Sequence, residues 1–113
     1  MKKISIIIPL YNLEGLIGKC IASALDQDLP PEEYEVIVVD DGSTAGSLAA
    51  AQRAARGHAN VQVHAKPNEG VSMARNYGTE RAAGRYVMYV DADDYLPPGV
   101  LGRLTQIMDR ERL

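Results

Sequence analysis

Residues 90–95 read VDADDY, so Asp91, Asp93 and Asp94 put three carboxylates within four positions, directly after the β-forming run RYVMYV. Carboxylates repel one another and Asp is a poor strand residue, so the natural complement is a cation. Hard divalent ions such as Mg2+ and Mn2+ prefer carboxylate oxygens, and Mg2+ shares itself with water and substrate phosphates. Asp91-Ala92-Asp93, with Asp94 adjacent, offers one or two such ligands and leaves room for a diphosphate. A plainer account has one Asp capping the next helix and the others solvated. The position after a strand read as buried favours the metal.

A second acidic pair obeys the same logic. In VVDDGST, Asp40 and Asp41 follow another apolar run, and Gly42 permits a tight turn. Ser43 or Thr44 suits a helix cap there, but two consecutive carboxylates exceed what a cap requires. One of them could accept a hydrogen bond from a base N–H or a ribose hydroxyl, the contact that fixes a nucleotide. The stretch NEGVSMARNYG adds Arg75, with Lys66 and Asn68 just before it. A guanidinium near these acids can pair with them or grip phosphate bidentately, and both roles stay open. His58 and His64 are isolated, and no His/Cys/Asp grouping has zinc spacing.

The elements that must position these groups are legible from periodicity. ISIII (4–8), EVIVV (35–39), VQVHA (61–65) and RYVMYV (85–90) are four short apolar runs. Three are nearly continuous, as expected for parallel strands covered on both faces; VQVHA alternates and reads as an edge strand or one with a wetter face. After Asn12, a candidate N-cap, Leu13, Leu16, Ile17, Cys20, Ile21, Ala24 and Leu25 make a helical stripe. Further helices are expected over roughly 45–56, stopping at Gly57, over roughly 70–83, ending at Gly84, and from Pro97–Pro98 onward. The order β-α-β-α-β-α-β-α predicts an α/β fold: a mainly parallel open sheet with alternating helices, Rossmann-like. In such sheets ligands bind beyond the carboxyl ends of the strands, where strand order reverses. Both acidic groups, and Pro9, Leu10, Tyr11 and Asn12 after the first strand, lie at those ends.

Composition bounds the rest. The 113 residues fit one domain, and 46% hydrophobic with 24% charged residues is the balance of a folded chain. A formal net charge of −3 argues against nucleic acid or an anionic membrane as partner of the whole surface. The single cysteine, Cys20, sits in LIGKCIASAL as a core residue and favours a reducing compartment. No apolar stretch is long enough for a transmembrane segment. With no Phe and no Trp, the core must come from Ile, Val, Leu, Met and Ala.

Several site types are missing. No G-x-G-x-x-G follows the first strand, and neither a P-loop nor a G-x-S-x-G elbow occurs. A phosphate-receiver domain, also α/β with an acidic Mg2+ pocket, needs an acidic pair at the end of the first strand, where this chain has PLYN.

Taken in order, ISIIIPLYN, VIVVDDGST, NEGVSMARNYG, AAGRYVMYVDADD and the following LPP resemble the N-terminal, nucleotide-sugar-binding half of family 2 glycosyltransferases of the GT-A fold. The resemblance covers roughly residues 3–110 and rests on five separated motifs. It implies a nucleotide-diphosphate sugar donor, of UDP type first, lying across the strand ends. Pro9, Leu10 and Tyr11 would line the base pocket, and Asp41 with Asp40 beside it would bind base or ribose. Asp91, Ala92 and Asp93 would form the D-x-D, holding the ribose and, with Asp94, a Mg2+ or Mn2+ on the diphosphate. Arg75 is carried over as a nucleotide-side residue.

The implied reaction is inverting transfer of the sugar to a hydroxyl of a glycan or lipid-linked acceptor, in polysaccharide biosynthesis. The implied setting is cytoplasmic, or peripheral to the inner face of the membrane. Where the family often has a further Asp after D-D-G-S-T, this chain has Ala45, a change expected to weaken a helix start rather than chemistry.

Relatives of this kind carry their general base beyond the D-x-D. Only Asp109 and Glu111 follow here, both in a terminal helix and expected to be solvated. The expectation is a single nucleotide-sugar-binding domain over 1–113, truncated at its C-terminus. The alternative is a catalytically incomplete binding module, and an exposed sheet edge could carry an oligomer contact.

Overall fold

The apolar runs and the stretches between them form four strands and four helices in strict alternation. In this computed structural model, which describes residues 2–44 and 46–111, the order is β1 (Ile4–Leu10), α1 (Glu14–Leu25), β2 (Tyr34–Asp41), α2 (Ser47–Ala55), β3 (Val61–Lys66), α3 (Val71–Glu80), β4 (Tyr86–Tyr89) and α4 (Val100–Glu111). A single 3-10 turn, Pro31–Glu33, leads into β2. The strands make one sheet in the order β3-β2-β1-β4, and every pairing is parallel. Two strands, β2 and β3, step one way from β1, then the chain crosses back to place β4 on its other side. Strand order therefore reverses between β1 and β4.

β1 and β2 are buried along their whole lengths because both faces are covered. Ile4, Ile6, Ile8, Tyr34, Val36 and Val38 face one way, toward Ile17, Cys20, Ile21, Ala51 and Leu101 of the helices. Ile7, Ile37 and Val39 face the other way and meet Ala74 of α3. Each fully buried side chain of this size contributes about 1.5–3 kcal/mol. Gly78 lets α3 approach the sheet closely, since a Cβ there would fall 2.6 Å from Cγ2 of Ile7.

Several expected boundaries shift for identifiable reasons. Asn12 does not cap α1: it is left-handed (φ 52°), and its side chain turns to the next loop, accepting from the Thr44 N–H at 2.8 Å. Neither Ser43 nor Thr44 caps α2, whose N-cap is Gly46, because Ser43 Oγ instead accepts from the Asn12 N–H at 3.0 Å. The reading of Ala45 lies outside the described residues. Gly57 follows α2 as expected. α3 stops at Glu80, and Gly84 instead donates to Ser5 Oγ at 2.7 Å.

Pro97 and Pro98 precede α4 rather than opening it. The first N–H groups of α4 are met by a distant loop: Gln27 Oε1 accepts from Leu101 at 2.9 Å and Asp28 Oδ1 from Gly102 at 2.7 Å. β3 is an edge strand, as its alternation predicts. β4 corrects the expectation of a strand covered on both faces: it is the other edge, and on the face turned toward α3 Val87 and Tyr89 stay partly exposed.

Candidate functional site

The carboxyl edge of the sheet carries a cleft of about 340 Å³ lined by Pro9, Leu10, Tyr11, Asp41, Asn68, Gly70 and Val71. Its parts come from the ends of β1 and β2 and from the start of α3. Pro9, Leu10, Tyr11 and Asp41 were read from sequence as substrate-binding, and the fold brings these four together. Asn68 and Gly70 fall among the residues after β3 that the strand-end rule covers, without an individual role; Val71, the first residue of α3, lies just beyond them. The signal available for them was their place immediately after β3, and Gly70 takes a positive φ of 102° that suits glycine.

Asp41 is the most engaged of these groups. Its Oδ1 accepts from Lys66 Nζ at 3.2 Å and from the Glu69 N–H at 2.9 Å, and Oδ2 accepts from the Gly70 N–H at 2.9 Å. Lys66, almost buried, also pairs with Glu69 at 2.7 Å. Burial pushes the Asp41 carboxyl upward, but the Glu69 N–H, Lys66 and the Gly70 N–H together outweigh it and hold the group below the usual carboxylate range. Asp41 thus clamps the loop that starts α3. Gly42 completes the clamp: with φ 71°, its missing Cβ would fall 2.6 Å from Asn68 N.

Asp40 is not in the cleft. Alternation along β2 turns it to the opposite face, where it is 2% exposed and Oδ2 accepts from the Ser43 N–H at 3.2 Å. Its Oδ1 is buried with no partner among the described residues.

Across the strand reversal stands the acidic cluster. Asp91, Asp93 and Asp94 are exposed, and each offers a ligand atom within 4.8 Å of the others. Asp91 Oδ1 lies 3.4 Å from Arg75 Nη2, so the ion-pair role of Arg75 is realised here. The Asp93 and Asp94 carboxylates have no hydrogen-bond or salt-bridge partner among the described residues, although the Asp94 N–H donates to the Asp91 carbonyl at 2.9 Å. The donor set is all carboxylate, solvent-facing and under-compensated, which suits a hard dication. Ala92 is 2% exposed and points into the core, so only its backbone could meet a ligand.

The backbone of this segment is gripped by one face of α1 and the loop after it. The Cys20 thiol donates to the Asp91 carbonyl at 3.5 Å, Ser23 Oγ accepts from the Leu96 N–H at 2.9 Å, and Gln27 Nε2 donates to the Pro97 carbonyl at 3.1 Å. Burial first, then the charges of Asp94, Asp93 and Asp91, push the Cys20 thiol up to about 11. Cys20 is therefore the core residue its helical setting predicts. His58 is exposed, and His64 packs edge-on against Tyr77. Asp109 lies toward the opposite edge of the sheet, 3.9 Å from Arg85 and in a hollow with Lys2, Lys3 and Tyr86.

Comparison with known proteins agrees with this geometry. The family model described as glycosyl transferase family 2 matches residues 5–113. The chain is 39% identical over 110 residues to the uncharacterized glycosyltransferase EpsJ of Bacillus subtilis, covering 97% of this chain and 31% of that protein. It is 42% identical over 96 residues to a poly(ribitol-phosphate) beta-glucosyltransferase of Bacillus spizizenii, covering 83% and 15%. The chain thus spans less than a third of the length of these curated relatives.

Among solved structures, Staphylococcus aureus TarS 1-349 in complex with UDP-GlcNAc superposes with a TM-score of 0.89 at 35% identity, covering 96% of this chain and 31% of that one. The mannosyltransferase PcManGT from Pyrobaculum calidifontis, in complex with GDP-Man and Mn2+, gives 0.78 at 32% identity, covering 84% and 28%. The all-parallel sheet with alternating helices is the Rossmann-like part of the GT-A fold that TarS shares. By family match, sequence identity and fold together, the chain belongs to glycosyl transferase family 2.

Proposed function

We propose that this chain is the donor-binding part of an inverting glycosyltransferase, taking a nucleotide-diphosphate sugar of UDP type and serving transfer to a hydroxyl of a glycan or lipid-linked acceptor. One observation carries the reading. A cleft with apolar walls and one carboxylate, and a cluster of three exposed carboxylates, share the carboxyl edge of the sheet on either side of its reversal. Two structural neighbours, one in complex with UDP-GlcNAc and the other with GDP-Man and Mn2+, support it.

In this reading Pro9, Leu10, Tyr11 and Val71 provide apolar surface for the base. A carboxylate has roughly four acceptor positions, and three at Asp41 are taken by protein donors. The remaining one can receive a base N–H or a ribose hydroxyl. Asp93 and Asp94, with Asp91 beside them, would hold Mg2+ or Mn2+. Such an ion, when bound, supplies Lewis-acid stabilisation of the departing diphosphate. Arg75 adds fixed positive charge at the same place.

Transfer forms a bond between the acceptor oxygen and the anomeric carbon while the bond to the diphosphate breaks, and the hydroxyl proton passes to a base. Asp109 stands at the opposite, amino end of the strands, beside Lys2, Lys3 and Arg85, too far from the cleft to serve as that base. This favours a second reading for the chain by itself, a nucleotide-sugar-binding module without transfer. The reading carries with it a cytoplasmic setting, in keeping with the free, buried Cys20. No helix among the described residues is long and apolar enough to cross a membrane.

Calorimetry of UDP binding tests the proposal. Binding is expected in Mn2+ or Mg2+, and is expected to fall to the level seen in EDTA for Asp93→Ala. Equal affinity with and without a dication would refute the metal role, and no binding under any condition would refute the donor site. Little or no transfer to an added acceptor is expected from these 113 residues. Robust turnover would show that a base lies within them.

A further inference from the structure

Val71, Arg75 and Thr79 are spaced i, i+4, i+8 and form one stripe on α3. Val71 lines the cleft and Arg75 reaches the acidic cluster, so the stripe connects the two halves of the site. Below them Thr79 meets Tyr89, the last residue of β4. Tyr89 is 48% exposed and contributes little to the core, yet it is not idle.

The Arg75 guanidinium carbon lies 5.6 Å from the centre of the Tyr89 ring. Thr79 Oγ1 lies 2.8 Å from the Arg75 carbonyl and 2.9 Å from the Tyr89 hydroxyl. Hydrogen bookkeeping fixes the direction of this chain. Threonine has one hydroxyl proton, and the carbonyl can only accept it, so the Tyr89 O–H must donate to Thr79. The ring is thereby locked in orientation beside a side chain that would otherwise sample many rotamers.

Arg75 itself is held but not satisfied. Its contact with Asp91 is long at 3.4 Å, and with the side chain 39% exposed the guanidinium end keeps donors open to solvent. A cation kept in place with unused donors is prepared for an acceptor that arrives from outside.

We infer that Tyr89 and Thr79 are positioning residues, a brace from β4 and α3 that holds Arg75 ready for the anionic part of the bound nucleotide. The inference rests on the donor-site reading above and adds to it the residues that preorganise its cation. Neither brace residue needs to touch the nucleotide.

The test has two arms on the full 113-residue chain. The first is calorimetry of UDP with Mn2+. Thr79→Val and Tyr89→Phe should each weaken binding about threefold, and Tyr89→Leu about tenfold, by loss of the hydrogen bond or of the cation–π contact as well. Thr79→Ser should bind as the unmodified chain does. In an Arg75→Ala background, Tyr89→Leu should have no further effect. Undiminished binding by Tyr89→Leu, or an equal loss in the Arg75→Ala background, overturns the brace.

The second arm reads the ligand-free protein by the heteronuclear NOE of the Arg75 Nε–H. That group should be ordered in the unmodified chain and in Thr79→Ser, and mobile in Tyr89→Leu. A mobile Arg75 in the unmodified chain overturns the brace whatever the binding result. Failure of the unmodified chain to bind UDP strikes the donor reading, and the inference built on it, while leaving the NOE result to show whether the contacts themselves exist.

Discussion

Replacing Asp41 separates its structural load from its part in ligand binding. The side chain is 5% exposed and receives two backbone N–H groups and the Lys66 ammonium. Asp41→Ala strands the Glu69 and Gly70 N–H groups, while the Lys66 ammonium keeps Glu69 and the Pro67 carbonyl. Each N–H group left without its acceptor costs about 1–3 kcal/mol.

Asp41→Asn keeps shape and one carbonyl oxygen. With that oxygen at the Oδ1 position, the lost interactions are the Gly70 N–H bond and the charge, or about 1.5–3 kcal/mol. For a domain of this size, about 4 °C of melting temperature accompanies each kcal/mol, so Asp41→Asn should melt roughly 6–12 °C lower. Urea unfolding followed by circular dichroism at neutral pH gives the free energies. A loss below about 1 kcal/mol for Asp41→Ala, with unchanged m, would refute the claim that this carboxylate clamps the start of α3.

The pH dependence has a definite sign. The Asp41 carboxyl lies below its unfolded value in the fold, because its three donors together outweigh the upward push of burial. Its stabilisation is fully present above the unfolded pKa of about 3.9. It is lost as pH falls through the folded value, since the unfolded chain takes up its proton first. The stability gap between the unmodified chain and Asp41→Asn should therefore narrow below about pH 4. A gap that widened there would contradict the assignment.

Other outcomes follow from single contacts. Gly42→Ala should cost about 1–2 kcal/mol for its left-handed backbone, and more for the approach to Asn68. It should also weaken UDP binding, measured by urea unfolding and calorimetry. Cys20, with its thiol pushed up to about 11 by burial and then by the three aspartates, should resist iodoacetamide at pH 8 until the chain is unfolded; rapid labelling of the native protein would show the thiol accessible. Asp28→Ala removes the acceptor for the Gly102 N–H and should cost about 1 kcal/mol, with hydrogen exchange accelerated over residues 100–111 and little changed in β1.

The strands were legible because unbroken Ile and Val runs leave few alternatives, and the strand-end rule then located Pro9, Leu10, Tyr11 and Asp41 without coordinates. What escaped has a common physical origin. β4 has the composition of a buried strand, but coverage depends on where α3 lands, which composition does not encode. Asn12, Ser43 and Thr44 are all good capping types, and their choice of each other over the helices is a contact between distant loops. Asp40 and Asp41 are chemically identical, and only the pleat sends one to the cleft and the other toward the core. The donors that hold Asp41 are largely backbone N–H groups, which have no letter in a sequence. Gln27 and Asp28 read as an ordinary loop, although they serve a helix more than seventy positions away.

The hold of α1 on the segment from Asp91 to Pro97 means that the ion-ready loop owes its form to partners at the far end of the chain. Closing so large a ring costs entropy that is recovered only when both ends are in place. During synthesis, an emerging polypeptide would therefore not hold this acidic loop in its folded form until the segment through Pro97 had been made. Any cation preference of the proposed site would then be a property of high contact order rather than of the local hexapeptide, and an excised VDADDY peptide should bind Mn2+ only as a flexible acidic string does.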